Sequence, residues 1–309
     1  MGLHWILAIF MLFQQGQYPD PLVIEQEGMA IVEMKRTQYS HPLPGVPLID
    51  QDKLNRFMDD LEKKVEKPPM NATLDGAGRI LPEQAGKKLD RKIFTEQFYS
   101  FMFEGGFSKL EVPMQPTYPR VDSELLSVIK VKRIGQYATY YNSNNKNRSH
   151  NVSLAAKAIN NYVVFPNESF SFNEVVGKRT KEKGYLRAPV IVRGEMSEDV
   201  GGGICQISST LFNAVDRAGL KIIKRYSHSR NVKYVPPGRD ATVSWYGPDF
   251  VFQNKYDQPI LIRAYASGGQ ASIVICSSED INEKKRQVPS ASKKLPEEVR
   301  SEMDASGTK

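Results

Sequence analysis

The chain is poor in the residues that build covalent or metal scaffolds. Its 309 residues include two cysteines, Cys205 and Cys276, and four histidines, His4, His41, His150 and His228. A disulfide framework needs more cysteine in a much shorter chain. No His-x-x-x-His or Cys-x-x-Cys spacing occurs, so no zinc set and no other cofactor is expected. No compact Arg/Lys cluster interleaves with aromatics, which argues against a nucleic-acid partner. No internal repeat is visible. The apolar run at residues 3–13 is too short to span a bilayer and has the length of a signal-peptide core. It lacks preceding Lys or Arg, and no small-x-small cleavage site follows. A signal, an uncleaved membrane anchor, a remnant of a longer start and a buried segment remain open; export is the expectation.

What is present suits a folded chain of two domains, with 40% apolar and 25% charged residues. The net charge of +7 suits an anionic partner such as a membrane surface or wall polymer, or mere solubility. Residues 14–48 are polar and Pro-rich, and 21–48 read as a lead-in linker after a signal-like or anchor segment at 1–20. Residues 49–114 read as a small α+β domain. Leu54, Phe57, Met58, Leu61 and Val65 have helical spacing behind the cap candidate Asp50, and Pro68-Pro69 stops that helix. Asp75-Gly76-Ala77-Gly78 is a hairpin signal. A second helix follows Asp90, with Ile93, Phe94, Phe98, Phe101 and Met102 on one side.

Pro113 to Pro119 mark a boundary, and residues 120–280 form the second domain. A helix is expected over 153–162, preceded by a polar loop around 142–151 that carries His150. Ile207, Leu211, Ala214, Val215 and Ala218 predict a helix after Gly201-Gly202-Gly203, closed by Gly219. From Leu220 onward strand follows strand, including an alternation of Ala241, Val243 and Trp245. The fold class is therefore α+β, a cysteine-bearing helix packed on a largely antiparallel sheet. Residues 281–309 are Lys-, Glu- and Ser-rich and read as a disordered tail.

The chemistry concentrates around Cys205. A cysteine at a helix N-terminus feels the positive end of the helix dipole, which favours thiolate, the nucleophilic form. Free N–H groups there, with Gly203 and Gln206 as neighbours, suit an oxyanion. A buried cysteine in a Gly-rich packing turn is the alternative. A thiol nucleophile also needs a base. His228, in Tyr226-Ser227-His228-Ser229, is the candidate, and Asp240 the candidate to orient it. Arg187, Arg225 and Arg239 are candidates to hold a substrate carboxylate. Cys276 ends the run Ile273-Val274-Ile275 and reads as a core residue.

Gly201-Gly202-Gly203-Ile204-Cys205-Gln206-Ile207-Ser208-Ser209-Thr210-Leu211-Phe212-Asn213-Ala214 resembles the signature of VanW-family domains. Arg225-Tyr226-Ser227-His228-Ser229, Tyr234-Val235-Pro236 and Gly238-Arg239-Asp240-Ala241-Thr242 fit the same family. So do Pro166-Asn167-Glu168-Ser169-Phe170-Ser171-Phe172-Asn173, Val176-Gly177 and Gly184-Tyr185. The resemblance covers residues 130–265, with Asn167 where many relatives carry glycine. Residues 50–114 more weakly resemble the peptidoglycan-binding domain that often precedes a VanW domain.

The resemblance implies a cell-wall location outside the cytoplasm and peptidoglycan stem peptides as partners. It further implies an L,D-transpeptidase in which Cys205 takes the acyl group and His228 moves the protons. Two alternatives stand beside it: a cysteine hydrolase of the same peptides, and a noncatalytic peptidoglycan-binding or vancomycin-resistance accessory protein.

Overall fold

The computed structural model describes residues 20–41, 48–103, 108–192 and 195–294. Residues 1–19 of the signal-like segment at 1–20 lie outside the described residues, as do residues 295–309. The chain divides into two units, the first holding residues up to 72 and 82–120, the second 73–81 and everything from 121 onward.

In the first unit, Leu22–Gln26 pairs antiparallel with Met29–Met34 and parallel with Lys109–Glu111. This differs from a lead-in linker over 21–48. Leu22 and Ile24 point into the core and are fully buried. Their alternation is too short for periodicity to separate it from a linker. The helix Gln51–Val65 starts where expected, with Asp50 accepting from the Lys53 N–H at 3.0 Å. The helix Arg91–Phe103 buries Phe94, Phe98, Phe101 and Met102 but leaves Ile93 exposed. These faces and the sheet share one apolar core.

The second unit is built on a four-stranded antiparallel sheet in the order Lys132–Tyr140, Gln270–Ser277, Ile260–Ser267, Tyr162–Val164. The helix Ile204–Arg217 packs on the first two of these strands. It comes close because Gly135 faces it: a Cβ there would lie 2.3 Å from the Ala214 carbonyl oxygen. Ile207, Leu211, Ala214 and Val215 are fully buried on this helix. Burying an aliphatic side chain of that size contributes about 1.5–3 kcal/mol. The helix ends at Arg217, and Gly219 follows in the left-handed region, as its sequence position predicts. A smaller sheet joins Ser169–Ser171, Val251–Gln253 and Lys221–Lys224.

Three expectations need correction here. The polar stretch around 142–151 is not all loop. Asn145 caps a helix, Lys146–Ile159, by accepting from the Arg148 N–H at 3.1 Å. His150 lies on that helix, its Nε2 2.9 Å from the Gly184 carbonyl. The alternation through Ala241, Val243 and Trp245 is not a strand; residues 225–250 carry no regular strand. Their backbone groups bond instead to side chains of the cysteine helix and to one another. Finally, the stretch after 280 does not leave the domain at once. Ile281 and Val288 are buried in the second core, and Arg217 donates to the Val288 carbonyl at 2.6 Å.

The hairpin Thr73–Leu74/Ile80–Leu81 belongs to the second unit despite its place in sequence. Asn161 bonds both the N–H and the carbonyl of Leu74, at 3.1 and 3.0 Å. The buried Arg263 donates to the Asp75 carbonyl at 2.9 Å.

Candidate active site

Cys205 is the second residue of the Ile204–Arg217 helix. The hairpin Arg187–Val192/Glu195–Val200 leads into the glycine run that precedes it. Gly203 is the N-cap, at φ +103°, a conformation side chains rarely adopt. Gly202 is required by space: a Cβ there would lie 2.3 Å from the Ala188 carbonyl oxygen. The glycines thus let the turn press against a strand while the helix begins.

The irregular stretch after Lys224 lies along this helix, held by buried hydroxyls. Ser208 donates to the Ala241 carbonyl, and Ser209 accepts from the Ala241 N–H at 2.9 Å. Asn213 donates to the Arg239 carbonyl at 2.8 Å. That pinning brings Asp240, Thr242 and Val243 to the start of the helix. Cys205 Sγ lies 3.5 Å from the Val243 carbonyl oxygen and 3.8 Å from Thr242 Oγ1.

Asp240 Oδ2 accepts from both the backbone N–H and Nδ1 of His228, each at 2.6 Å. The two side chains are only 7% and 8% exposed. This arrangement fixes the imidazole through Nδ1, and His228 and Cys205 lie close enough for each to act on the other's titration. Burial alone pushes the Cys205 thiol up, but the hydrogen bond and charge of His228 outweigh it, and the net direction is down. Burial pushes the His228 imidazole down, but Cys205 and Asp240 hold it above its ordinary value. The Asp240 carboxyl, raised by burial, is held low overall by its bonds to His228. Each partner therefore stabilises the charged form of its neighbour. Cys276 differs: buried in its strand, its thiol is pushed up.

Other candidates have internal tasks. The Gln206 N–H donates to the Gly203 carbonyl at 3.0 Å. Its side chain is fully buried, bonded to Arg148, Thr139 and the Tyr140 carbonyl. In this first turn the Cys205 N–H makes no backbone bond among the described residues and is a candidate donor to an oxyanion. Arg239 anchors the loop, donating to Asn213 Oδ1 at 2.8 Å and Asp216 Oδ2 at 2.7 Å. Arg225 bonds the Gly238 carbonyl and the Ser227 hydroxyl, and Arg187 the Glu198 carbonyl. None of the three arginines is brought to the thiol by these contacts.

Sequence reasoning passed over Thr242, Val243 and Tyr234. The Tyr234 hydroxyl is pushed up by burial and by the neighbouring Cys205 charge, and it bonds Ser209. Its place in Tyr234-Val235-Pro236, between the histidine and aspartate motifs, was the available signal.

Family models match two stretches of the chain: "VanW like protein" over residues 147–276 and "Putative peptidoglycan binding domain" over 25–111. The first contains Cys205, His228 and Asp240. The chain is 55% identical over 297 residues to "Uncharacterized protein YoaR" of Bacillus subtilis, covering 96% of this chain and 98% of that protein. It is 34% identical over 119 residues to "Vancomycin B-type resistance protein VanW" of Enterococcus faecalis, covering 36% of this chain and 42% of that protein. No solved structure matches. Among the described residues no helix is long and apolar enough to cross a membrane.

Proposed function

Because the chain belongs to the VanW family and carries a match to a peptidoglycan-binding domain, we propose that it works on the cell wall outside the cytoplasm, as a cysteine acyltransferase on stem peptides. The observation that carries this reading is the buried His228–Asp240 bond beside a Cys205 whose titration His228 lowers. Catalytic cysteines pair with a base that a third group orients, and the three side chains meet that requirement.

The reaction runs as a transpeptidation. The Cys205 thiolate attacks the carbonyl carbon of the diamino-acid residue in a donor stem, forming a C–S bond. The Cys205 N–H at the helix start faces the developing oxyanion. The amide C–N bond to the terminal D-amino acid breaks, and His228 gives its proton to the departing amine. A side-chain amine of a neighbouring stem then attacks the thioester and passes a proton to His228. The C–S bond breaks, the thiolate returns, and a cross-link remains. Water in place of the amine makes the same site a hydrolase.

The test is intact mass spectrometry of the full chain after incubation with a purified tetrapeptide stem. The expected result is an acyl adduct that localises to Cys205 and is absent from Cys205→Ala. An added amine acceptor then separates transfer from hydrolysis. A folded, reduced chain that binds wall material but never forms the adduct sinks the enzyme reading in favour of an accessory wall-binding role.

A further inference from the structure

Arg179 lies just past the short helix Phe172–Val176. It packs against the turn that leads to Cys205: a Cβ on Gly201 would sit 3.1 and 3.3 Å from Arg179 Cβ and Cγ. Its Nη2 donates to Asn173 Oδ1 at 2.7 Å. Asn173 in turn donates to the carbonyls of Ser244 and Pro248, at 2.9 and 3.1 Å. Ser244 directly follows Val243, whose carbonyl touches the thiol. Arg179 is therefore held on both sides by the segments that frame Cys205.

Of its other nitrogens, Nη1 is buried and has no hydrogen-bond partner among the described residues. No carboxylate there forms an ion pair with it. Asp249 is the acid in its electrostatic range, but its oxygens are spent on Ser171 Oγ and on the N–H groups of Asn173 and Phe250. A buried guanidinium with no direct ion pair and an open nitrogen is costly, and the cost falls when an anion forms nearby. The groups acting on Arg179 are Cys205, Tyr185 and Asp249. Those around the thiol are His228 with Asp240 behind it, Tyr234, and Arg148, which packs against Gly203 and donates to Gln206 Oε1 at 2.6 Å. The anion this site makes is the thiolate.

We propose that Arg179 is a positioning residue for the reaction, a second and permanent cation that holds Cys205 as thiolate when His228 is neutral. The inference rests on the nucleophile reading above. Its logic is that an imidazole loses its charge within the working pH range and a guanidinium does not. Burial pushes the Arg179 guanidinium down, with the thiolate pulling it back.

The test is the rate of iodoacetamide alkylation at Cys205 in the full chain, followed from about pH 5 to about pH 10, a span covering imidazole and thiol titration. Wild type is compared with Arg179→Lys, Arg179→Gln and Arg179→Met, each also in a His228→Ala background. With His228 gone, Arg179→Gln and Arg179→Met should slow alkylation near neutrality about tenfold, the effect of one nearby charge. Arg179→Lys should retain most of the rate. Arg179→Gln keeps a donor for Asn173, so it reads the charge even where Arg179→Met fails to fold. Superimposable pH profiles in wild type and Arg179→Gln overturn the proposal. So does a lysine variant as slow as the glutamine one, since that assigns the residue to packing. A wild-type Cys205 no faster than Cys276 takes down the nucleophile reading as well, whereas a fast thiol indifferent to Arg179 removes only this inference.

Discussion

One oxygen of Asp240 receives two N–H groups of His228, the ring Nδ1 and the backbone N, both at 2.6 Å. A side chain bonded to ring and backbone together fixes the imidazole's rotation as well as its tautomer. The carboxylate thus acts as a hinge pin for the residue that reaches the thiol.

Asp240→Asn keeps the shape and removes the charge. The amide can accept one of the two bonds, and the imidazole loses the partner that favours its charged form. Acylation of Cys205 should fall by up to roughly ten-thousandfold, the scale seen when an orienting carboxylate is lost from a triad. Single-turnover mass spectrometry reads it. A rate within twofold of wild type would leave Asp240 a loop-fastening residue.

The two cysteines should separate by reactivity. Cys205 is partly exposed and its thiol is held low; Cys276 is 5% exposed and its thiol is pushed up. Near neutral pH, iodoacetamide should label Cys205 at least about tenfold faster. Peptide mapping after a short pulse gives the ratio, and equal slow labelling counts against a Cys205–His228 pair.

The pair also makes a signed prediction about stability. Asp240, held low, contributes stability that is present above its unfolded titration and lost as pH falls through the folded value. His228, held high, contributes stability that is full below its unfolded titration and lost as pH rises through the folded value. The difference in unfolding free energy between Cys205→Ala and Cys205→Ala/Asp240→Asn should therefore peak between about pH 4 and about pH 6.5, the ordinary carboxylate and imidazole values. The alanine background removes the thiol's own titration and its share of the raise on His228, leaving the share that Asp240 supplies. Denaturant melts across that range check the sign, and a difference flat with pH is the contrary result.

Gly202→Ala drives a methyl group to within 2.3 Å of the Ala188 carbonyl oxygen, which is backbone and has little room to yield. Overpacking of this kind costs about 1–3 kcal/mol. The melting temperature should drop, and Cys205 alkylation should slow as the helix start shifts.

Removing everything after residue 280 should destabilise the second unit. Ile281 and Val288 leave its core, and Arg217 loses its bonds to the Val288 carbonyl. A cost of a few kcal/mol follows from about 25 cal/mol per Å² of apolar surface re-exposed. Thermal denaturation decides; an unchanged melting temperature would restore the picture of a tail free from residue 281 onward.

Legibility followed periodicity. Leu54 to Val65 and Ile207 to Val215 announce their helices because apolar faces repeat at helical spacing. Cys205 after three glycines, with His228 and Asp240 in later motifs, was enough to suggest a nucleophile, base and orienting acid. Ser208, Ser209, Thr210 and Asn213 were not legible as buried, because hydroxyl and amide side chains look solvent-facing until the loop they hold is placed. For the same reason Ala241, Val243 and Trp245 mimic a strand. Their alternation is real in composition, but Ala241 spends its backbone bonds on Ser208 and Ser209. Arg179 carries no motif signal at all; its unpartnered, buried Nη1 distinguishes it.

The hairpin at residues 73–81 changes what a domain boundary means in this protein. A knife placed after Arg120, where the prolines invite it, yields a C-terminal fragment lacking part of its own fold. Asn161 would then offer its amide to water instead of Leu74, and the buried Arg263 would lose the Asp75 carbonyl. The second unit is discontinuous in sequence, so gene fragments intended to isolate it must carry residues 73–81 along.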